Sequence, residues 1–285
     1  MDILDKYYVF CTLDESLIEP SYVLFSSLFK YNPYIKLHVH CINFHEDKLE
    51  QYTNNINKYW KDSIEIIPEQ IHLNVTVPEF AMARAECMKH MDALMSKIII
   101  ADRHYKPYMF HLDIDMLIRS DFSELFQEYE EELIGYLYCY NSNSVNAGVM
   151  IIHTEKDIST NLTNYIQSYC QDKYTNEIAD EGYITEQNLV IKNISPMYCI
   201  GKYIRTGFSL HNTKIAHFYG CFKPYSKWDV IRPHNLIMIP YAKEWLDIYD
   251  TLDPTLFQTI SPIVEQHRNT INKLSPIYLK MYKQY

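Results

Sequence analysis

The chain has 285 residues, 47% of them hydrophobic, and its 26 Lys and Arg against 36 Asp and Glu leave a formal net charge of −10. That balance excludes a nucleic-acid binder, whose phosphate contacts need a basic surface. No apolar run reaches the ~18 residues needed to cross a membrane, and the N-terminus MDILDKYYVF shows no basic-then-apolar leader. The seven cysteines are odd in number and form no C-x-x-C, so reduced thiols in a cytoplasmic protein are expected, with neither a disulfide frame nor a zinc site.

The predicted elements begin with a buried strand over Tyr7–Thr12. A helix then opens near Pro20 and runs over Tyr22–Tyr31 until Asn32–Pro33 stops it. Leu37–Ile42 reads as a second strand, and Leu49, Tyr52, Ile56 and Tyr59 repeat at helical spacing. Ser63–Ile67 is a third strand, ended by Pro68. This alternation predicts an α/β fold, a mostly parallel sheet with helices on both faces. The length suits one domain over 1–285, with a core to about residue 230 and a helical extension over about 231–285. Ligands of such sheets sit beyond the carboxyl ends of the strands, where Thr12, Leu13 and Asp14 lie. There is no G-x-G-x-x-G and no Walker loop, and only six glycines in all, so a glycine-rich phosphate cradle is not expected.

Phe80–Asp102 is helical and carries Arg84, Lys89 and Lys97. These form a solvated basic face, or else Lys97 reaches the acidic cleft that follows. An apolar strand, Tyr108–Leu112, runs into Asp113, Ile114 and Asp115, and strand character resumes at Met116–Ile118. Ser120–Asp121 cap a short helix with Glu124 at the capping-box position. Alternate residues of a strand share a face, so Asp113 and Asp115 can present two carboxylates to one point. Either they are solvated acids at a strand end, or their repulsion is relieved by a hard divalent cation.

Leu133–Tyr138 reads as another strand and Asn141–Asn143 as a polar loop. In VNAGVMIIHT (Val145–Thr154), the small residues Asn146, Ala147 and Gly148 precede a strand; they make a tight turn or let a ligand approach the backbone. Asp157–Cys170 is an amphipathic helix. Glu186 and Gln187 open an apolar segment, Leu189–Ile191, as a surface helix start or as a carboxylate and an amide aimed into the cleft. In KIAHFYGCFKPYSKW (Lys214–Trp228), His217, Gly220, Lys223 and Pro224 form H-x-x-G-x-x-K-P after a short strand. Such a turn suits a metal–diphosphate site: the imidazole binds the cation, and the lysine makes charge-assisted hydrogen bonds worth about 1.5–3 kcal/mol each. Helices follow Pro240, around Trp245 and Ile263–Leu274.

In this order the motifs resemble those of the retaining glycosyltransferases of family 8, which include glycogenin and the bacterial lipooligosaccharide galactosyltransferases. The resemblance runs from about Tyr7 to Trp228. It implies the GT-A nucleotide-sugar transferase fold and a hexose moved, with retention, from a nucleotide-sugar to a hydroxyl of a glycan, lipid or protein. UDP-glucose, UDP-galactose and UDP-N-acetylglucosamine are the donors it implies. It assigns Asp113, Asp115 and His217 to Mn²⁺, with Mg²⁺ as the alternative, and Lys223 to the diphosphate. Asn146, Ala147 and Gly148 would touch the donor sugar, and Lys97 matches the basic residue ahead of the D-x-D strand. Thr12, Leu13, Asp14 and Ile114 fall among the donor contacts, as does Gly220. Glu186–Gln187 stand where the family has D-Q beside the reacting carbon.

The chain departs from that pattern in four places. Leu17 stands where an aromatic ring often stacks on uracil, and Glu186 is one methylene longer than the family's aspartate. Tyr225 replaces the tryptophan after K-P, and the loop between Tyr136 and Asn146 has no counterpart to a donor-binding aspartate. The alternatives are a nucleotide-sugar binder without turnover and, further off, a D-x-D phosphatase. The latter's motif is normally followed by a turn, whereas Met116–Leu117 continue a strand. A homo-oligomer is compatible with the composition.

Overall fold

The computed structural model describes residues 3–73, 91–128, 146–153, 157–171, 179–188, 194–198, 212–218, 223–226 and 233–282. Arg84, Lys89, the strand expected over Leu133–Tyr138, the Asn141–Asn143 loop, Leu189–Ile191 and Gly220 lie outside them.

Five strands form the main sheet: β1 (Tyr7–Leu13), β2 (Leu37–Ile42), β3 (Ile64–Glu69), β4 (Tyr108–Leu112) and β6 (Val149–Ile152), in the order β3-β2-β1-β4-β6. The first four are parallel and β6 runs antiparallel to β4. Every residue of β1 is buried, as a central parallel strand covered on both faces requires. Pro68 does not end β3 as the sequence suggests; it pairs with Cys41 inside the strand. β3 is the sheet's edge, where a missing N–H breaks no ladder bond.

Helices cover both faces. On one side α1 (Ile18–Tyr31) and α2 (Glu46–Trp60) share a core with α7 (Ile239–Tyr249) and α8 (Ser261–Tyr282), through Phe25, Tyr52, Trp245 and Val264. On the other, α3 (Met91–Ala101), α5 (Leu162–Gln171) and α6 (Ala179–Glu186) cover Phe10, Met109 and Met150. The C-terminal helices are tied to the core at two points. Glu19 of α1 accepts the backbone N–H groups of Gln258, Thr259 and Ile260, and Arg119 forms a two-pronged ion pair with Glu244 of α7. Cys11 and Cys41 are buried free thiols. Among the described residues, no helix is long and apolar enough to cross a membrane.

A second, two-stranded sheet decides the site. β5 (Met116–Ile118) pairs antiparallel with β7 (Ile215–His217), in the register Met116↔His217. It is locked from outside by Arg119, which donates to the Thr213 carbonyl at 2.9 Å, and by Lys214 on Glu124. Glu124 also accepts from the Tyr198 hydroxyl at 3.0 Å. The expected capping is therefore shared differently: Asp121 accepts the Ser123 N–H at 2.6 Å, while Glu124 braces β7 ahead of the one-turn helix α4 (Leu125–Glu128).

Candidate active site

Asp113 and Asp115 do not lie on one strand. The chain bends between β4 and β5, and each carboxylate leaves the bend from the end of a different sheet. The Asp113 N–H donates to the Gly148 carbonyl at 2.8 Å, and the Phe218 N–H donates to the Asp115 carbonyl at 2.8 Å. The main sheet thus holds one aspartate and the small sheet the other. β7 brings His217 between them, with Nε2 2.9 Å from Asp115 Oδ1 and 3.5 Å from Asp113 Oδ2. One ligand atom from each of the three residues lies within 4.8 Å of the other two.

The tautomer of His217 follows from its other nitrogen. Nδ1 is 3.1 Å from Asn146 Oδ1. That oxygen also accepts the Gly148 N–H at 3.1 Å, and Asn146 Nδ2 donates to Glu181 at 2.8 Å. A backbone N–H can only donate, so the amide oxygen is the acceptor and Nδ1 must carry the proton. In the neutral ring Nε2 is then a lone pair facing a carboxylate, and two acceptors at 2.9 Å need a positive charge between or upon them. An imidazolium proton meets that demand, and a divalent cation meets it equally. The donor set, two carboxylates and an oriented imidazole, therefore fits a metal of mixed O/N preference.

Two lysines complete the electrostatics. Lys223 pairs with the second oxygen of Asp115. Burial opposes ionisation of Asp115, but Lys223 and His217 outweigh it and hold the carboxyl well below the usual range. Lys97, 1% exposed in a mostly apolar α3, donates to Asp113 at 2.9 Å and to Asp180 at 2.8 Å. Its Nζ also lies 3.4 Å from the Ala147 carbonyl. Burial would strip its charge; the two carboxylates overcome that and raise its pKa above the ordinary lysine value.

Gly148 is small for a geometric reason. A Cβ there would lie 2.3 Å from His217 Cε1, 2.5 Å from Nδ1 and 2.8 Å from Met116 Cε. Gly148→Ala should push the imidazole off both aspartates. About 10- to 100-fold loss of affinity for a divalent cation such as Mn²⁺ is expected when the positioning of a ligand is disturbed, measured by calorimetry. Unchanged Mn²⁺ affinity in that variant would show that the imidazole is not a ligand.

Glu186 and Gln187 sit elsewhere. Glu186 is the exposed last residue of α6, and Gln187, just beyond it, accepts from Asn161 at 3.5 Å. At the other end of the same helix, Asp180 pairs with Lys97 and Glu181 with Asn146. These two acids were missed in the sequence, although ADEGYITEQ holds two acid-led pairs and only the helix phase separates them. His111, also unforeseen, is fully buried two residues before Asp113, with Nε2 3.7 Å from its Oδ1. Burial pushes its pKa well below the usual value and keeps the ring neutral.

Glu181 is raised from 4.5 to about 8, by burial first and by the neighbouring Asp180 second. The folded state thus holds a proton that the unfolded chain releases. The resulting stability is fully present below pH 4.5 and is lost as pH rises through about 8. Between those limits the wild type should lose on the order of a few kcal/mol relative to Glu181→Gln, whose neutral amide does not titrate. Urea titrations at several pH values test this; parallel stability curves for the two proteins would refute it.

At the carboxyl end of β1, Thr12 donates to the Ala93 carbonyl at 3.0 Å, and Leu13 and Ile114 are buried in the core. Asp14 caps a short helical turn by accepting the Ser16 N–H at 2.9 Å. Leu17 packs against the core.

No protein-family model matches the sequence, and no curated protein matches it significantly. The fold itself is that of the GT-A glycosyltransferases. The galactosyltransferase LgtC, crystallised with donor and acceptor sugar analogues, superposes with a TM-score of 0.59 at 14% identity, covering 86% of this chain and 96% of that one. An active-site glutamine-to-glutamate mutant of LgtC gives 0.60 at 15% identity, over 87% and 97%. GlyE of Streptococcus pneumoniae gives 0.59 at 16% identity, over 93% of this chain and 64% of that one.

Proposed function

We propose that this protein is a metal-dependent, retaining glycosyltransferase that moves a hexose from a UDP-sugar to a hydroxyl acceptor. The observation that carries the reading is the meeting of Asp113, Asp115 and His217 at the carboxyl edge of a GT-A sheet, with Lys223 beside them. Mn²⁺ or Mg²⁺ held by those three residues would act as a Lewis acid on the diphosphate. Lys223 would exchange Asp115 for a phosphate oxygen as leaving-group charge develops. His217 is kept in its ligating tautomer by Asn146, and Gly148 leaves room for it.

Breaking the glycosyl bond leaves the anomeric carbon cation-like, so an electron-rich face is needed beside it. We assign that face to Asp180 and Glu181 in place of Glu186 and Gln187. A Glu181 carboxyl that is neutral at pH 7 is close in shape and charge to the glutamine of a D-Q pair. Its carbonyl oxygen can support positive charge without a fixed anion, and Asp180 remains neutralised by Lys97. The acceptor is a hydroxyl of a glycan, a lipid or a protein, this chain's own tyrosines included.

The direct test is incubation with UDP-glucose, UDP-galactose and UDP-N-acetylglucosamine, with Mn²⁺ or with EDTA, following UDP release. Metal-dependent release is expected, and proton NMR of the first-formed product should show an α linkage from the α donor. A β anomer would overturn the retaining assignment. The displacement of Glu186 and Gln187 favours one other reading, a nucleotide-sugar binder without turnover; calorimetric binding of the donor with no UDP release would establish it.

A further inference from the structure

Tyr225 stands two residues beyond Lys223 on a tight turn, closed by the Ser226 N–H donating to the Lys223 carbonyl at 3.1 Å. It is 8% exposed, and its ring packs against Trp245 of α7 with centroids 5.7 Å apart. The ring is thus explained by the core. The hydroxyl is not: among the described residues it has no hydrogen-bond partner. A buried, unpaired hydroxyl is costly, and native proteins keep few of them without a use. Its electrostatic neighbours are Lys223, Asp115 and Asp113, the same groups that line the proposed metal–diphosphate site. Burial holds the phenol protonated far above neutral pH, so it is available as a donor. A ligand that suits it brings an acceptor oxygen to Lys223.

We propose that the Tyr225 hydroxyl is a second donor to the diphosphate of the nucleotide-sugar, acting beside Lys223, and that the protein carries it unsatisfied until that anion binds. The inference rests on the glycosyltransferase reading above, since it takes the diphosphate from there. It adds a neutral, directional contact to the point charge of the lysine. A lysine ammonium attracts any nearby oxygen, whereas a phenol held rigidly by Trp245 selects one position for it. Tyr225 would therefore set the orientation of the diphosphate relative to the metal, as well as adding affinity.

The variant Tyr225→Phe keeps the ring and removes only the hydroxyl, and three measurements on the full chain are read together. Ligand-free thermal stability should rise by a few degrees, because an unsatisfied buried hydroxyl is lost. Binding of UDP in saturating Mn²⁺, and of inorganic pyrophosphate under the same conditions, should weaken by about 5- to 10-fold, the effect of one neutral hydrogen bond. Affinity for Mn²⁺ alone should not change. A merely structural hydroxyl would give the opposite pair of results, a lower melting temperature and unaltered UDP affinity, and that outcome overturns the proposal. So does a variant that binds both anions as tightly as the wild type. A wild-type protein that binds neither UDP nor pyrophosphate would overturn the glycosyltransferase reading along with this inference. Tight wild-type binding with no loss in the variant removes this inference alone.

Discussion

Asp115→Asn and His217→Ala are each expected to slow sugar transfer by about 1,000-fold or more, the scale of a Lewis-acid contribution of several kcal/mol. The reason is in the geometry. Asp115 belongs to β5 and His217 to β7, and they meet because Met116 and His217 are paired in the small sheet. Both side chains are buried and Asp115 is ion-paired with Lys223 and His217, so both variants should melt below wild type, while circular dichroism at the assay temperature should show the fold retained. Calorimetry should show Mn²⁺ binding lost in both. Wild-type turnover in either variant, or full turnover of the wild type in EDTA, would sink the metal assignment. The fold-level likeness to LgtC and GlyE would survive that result, because it depends on the sheet rather than on these side chains.

Lys97→Met is expected to be the most destabilising single change at the site. Lys97 is the only charge on one side of a three-body arrangement in which Asp113 and Asp180 are held at 2.9 and 2.8 Å. Removing it leaves one carboxylate partly buried and the other fully buried. Breaking such an arrangement by deleting one partner costs about 3–5 kcal/mol, which for a chain of this size lowers Tm by on the order of 10 °C. Two further results distinguish charge from packing. Adding Asp180→Asn to Lys97→Met should recover part of the loss, since the most deeply buried unpaired charge is then gone. Adding Mn²⁺ should recover another part, because a cation on Asp113 replaces one of the two contacts of the lysine. A loss that neither change repairs would mean that Lys97 acts through the packing of its four-carbon stem.

Much of the fold was legible because it is written in short-range pattern. β1, β2 and β4 are mostly apolar runs, broken only by Thr12, His38, His40 and His111, as suits strands covered on both faces, and their limits in the structure differ from the pattern by a residue at most. Pro68 misled because proline is forbidden only where its N–H would be needed, and whether β3 is an edge is a property of the sheet order. The antiparallel course of β6 was likewise hidden. A four-residue apolar strand looks the same in either direction, and its pairing with β4 over Leu112↔Val149 is a long-range fact.

The site divides the same way. The sequence by itself determined that two aspartates follow a buried strand, that a histidine and a lysine share one turn, and that Lys97 sits in the mostly apolar last turns of a helix. Those are local features whose chemistry is the same wherever they fold. Only the tertiary structure decided which acids of α6 meet them. Asp180 and Glu186 are six residues apart, so on a helix of 3.6 residues per turn they point to different sides and lie about 9 Å apart along the axis. Which side faces Lys97 and Asn146 is set by how the helix docks on the sheet, through Tyr183 and Ile184 against the Phe10 and Met109 face. The same holds for the Tyr225 hydroxyl: the sequence shows a tyrosine after Lys-Pro, and only the packing of its ring on Trp245 leaves its oxygen buried without a partner among the described residues.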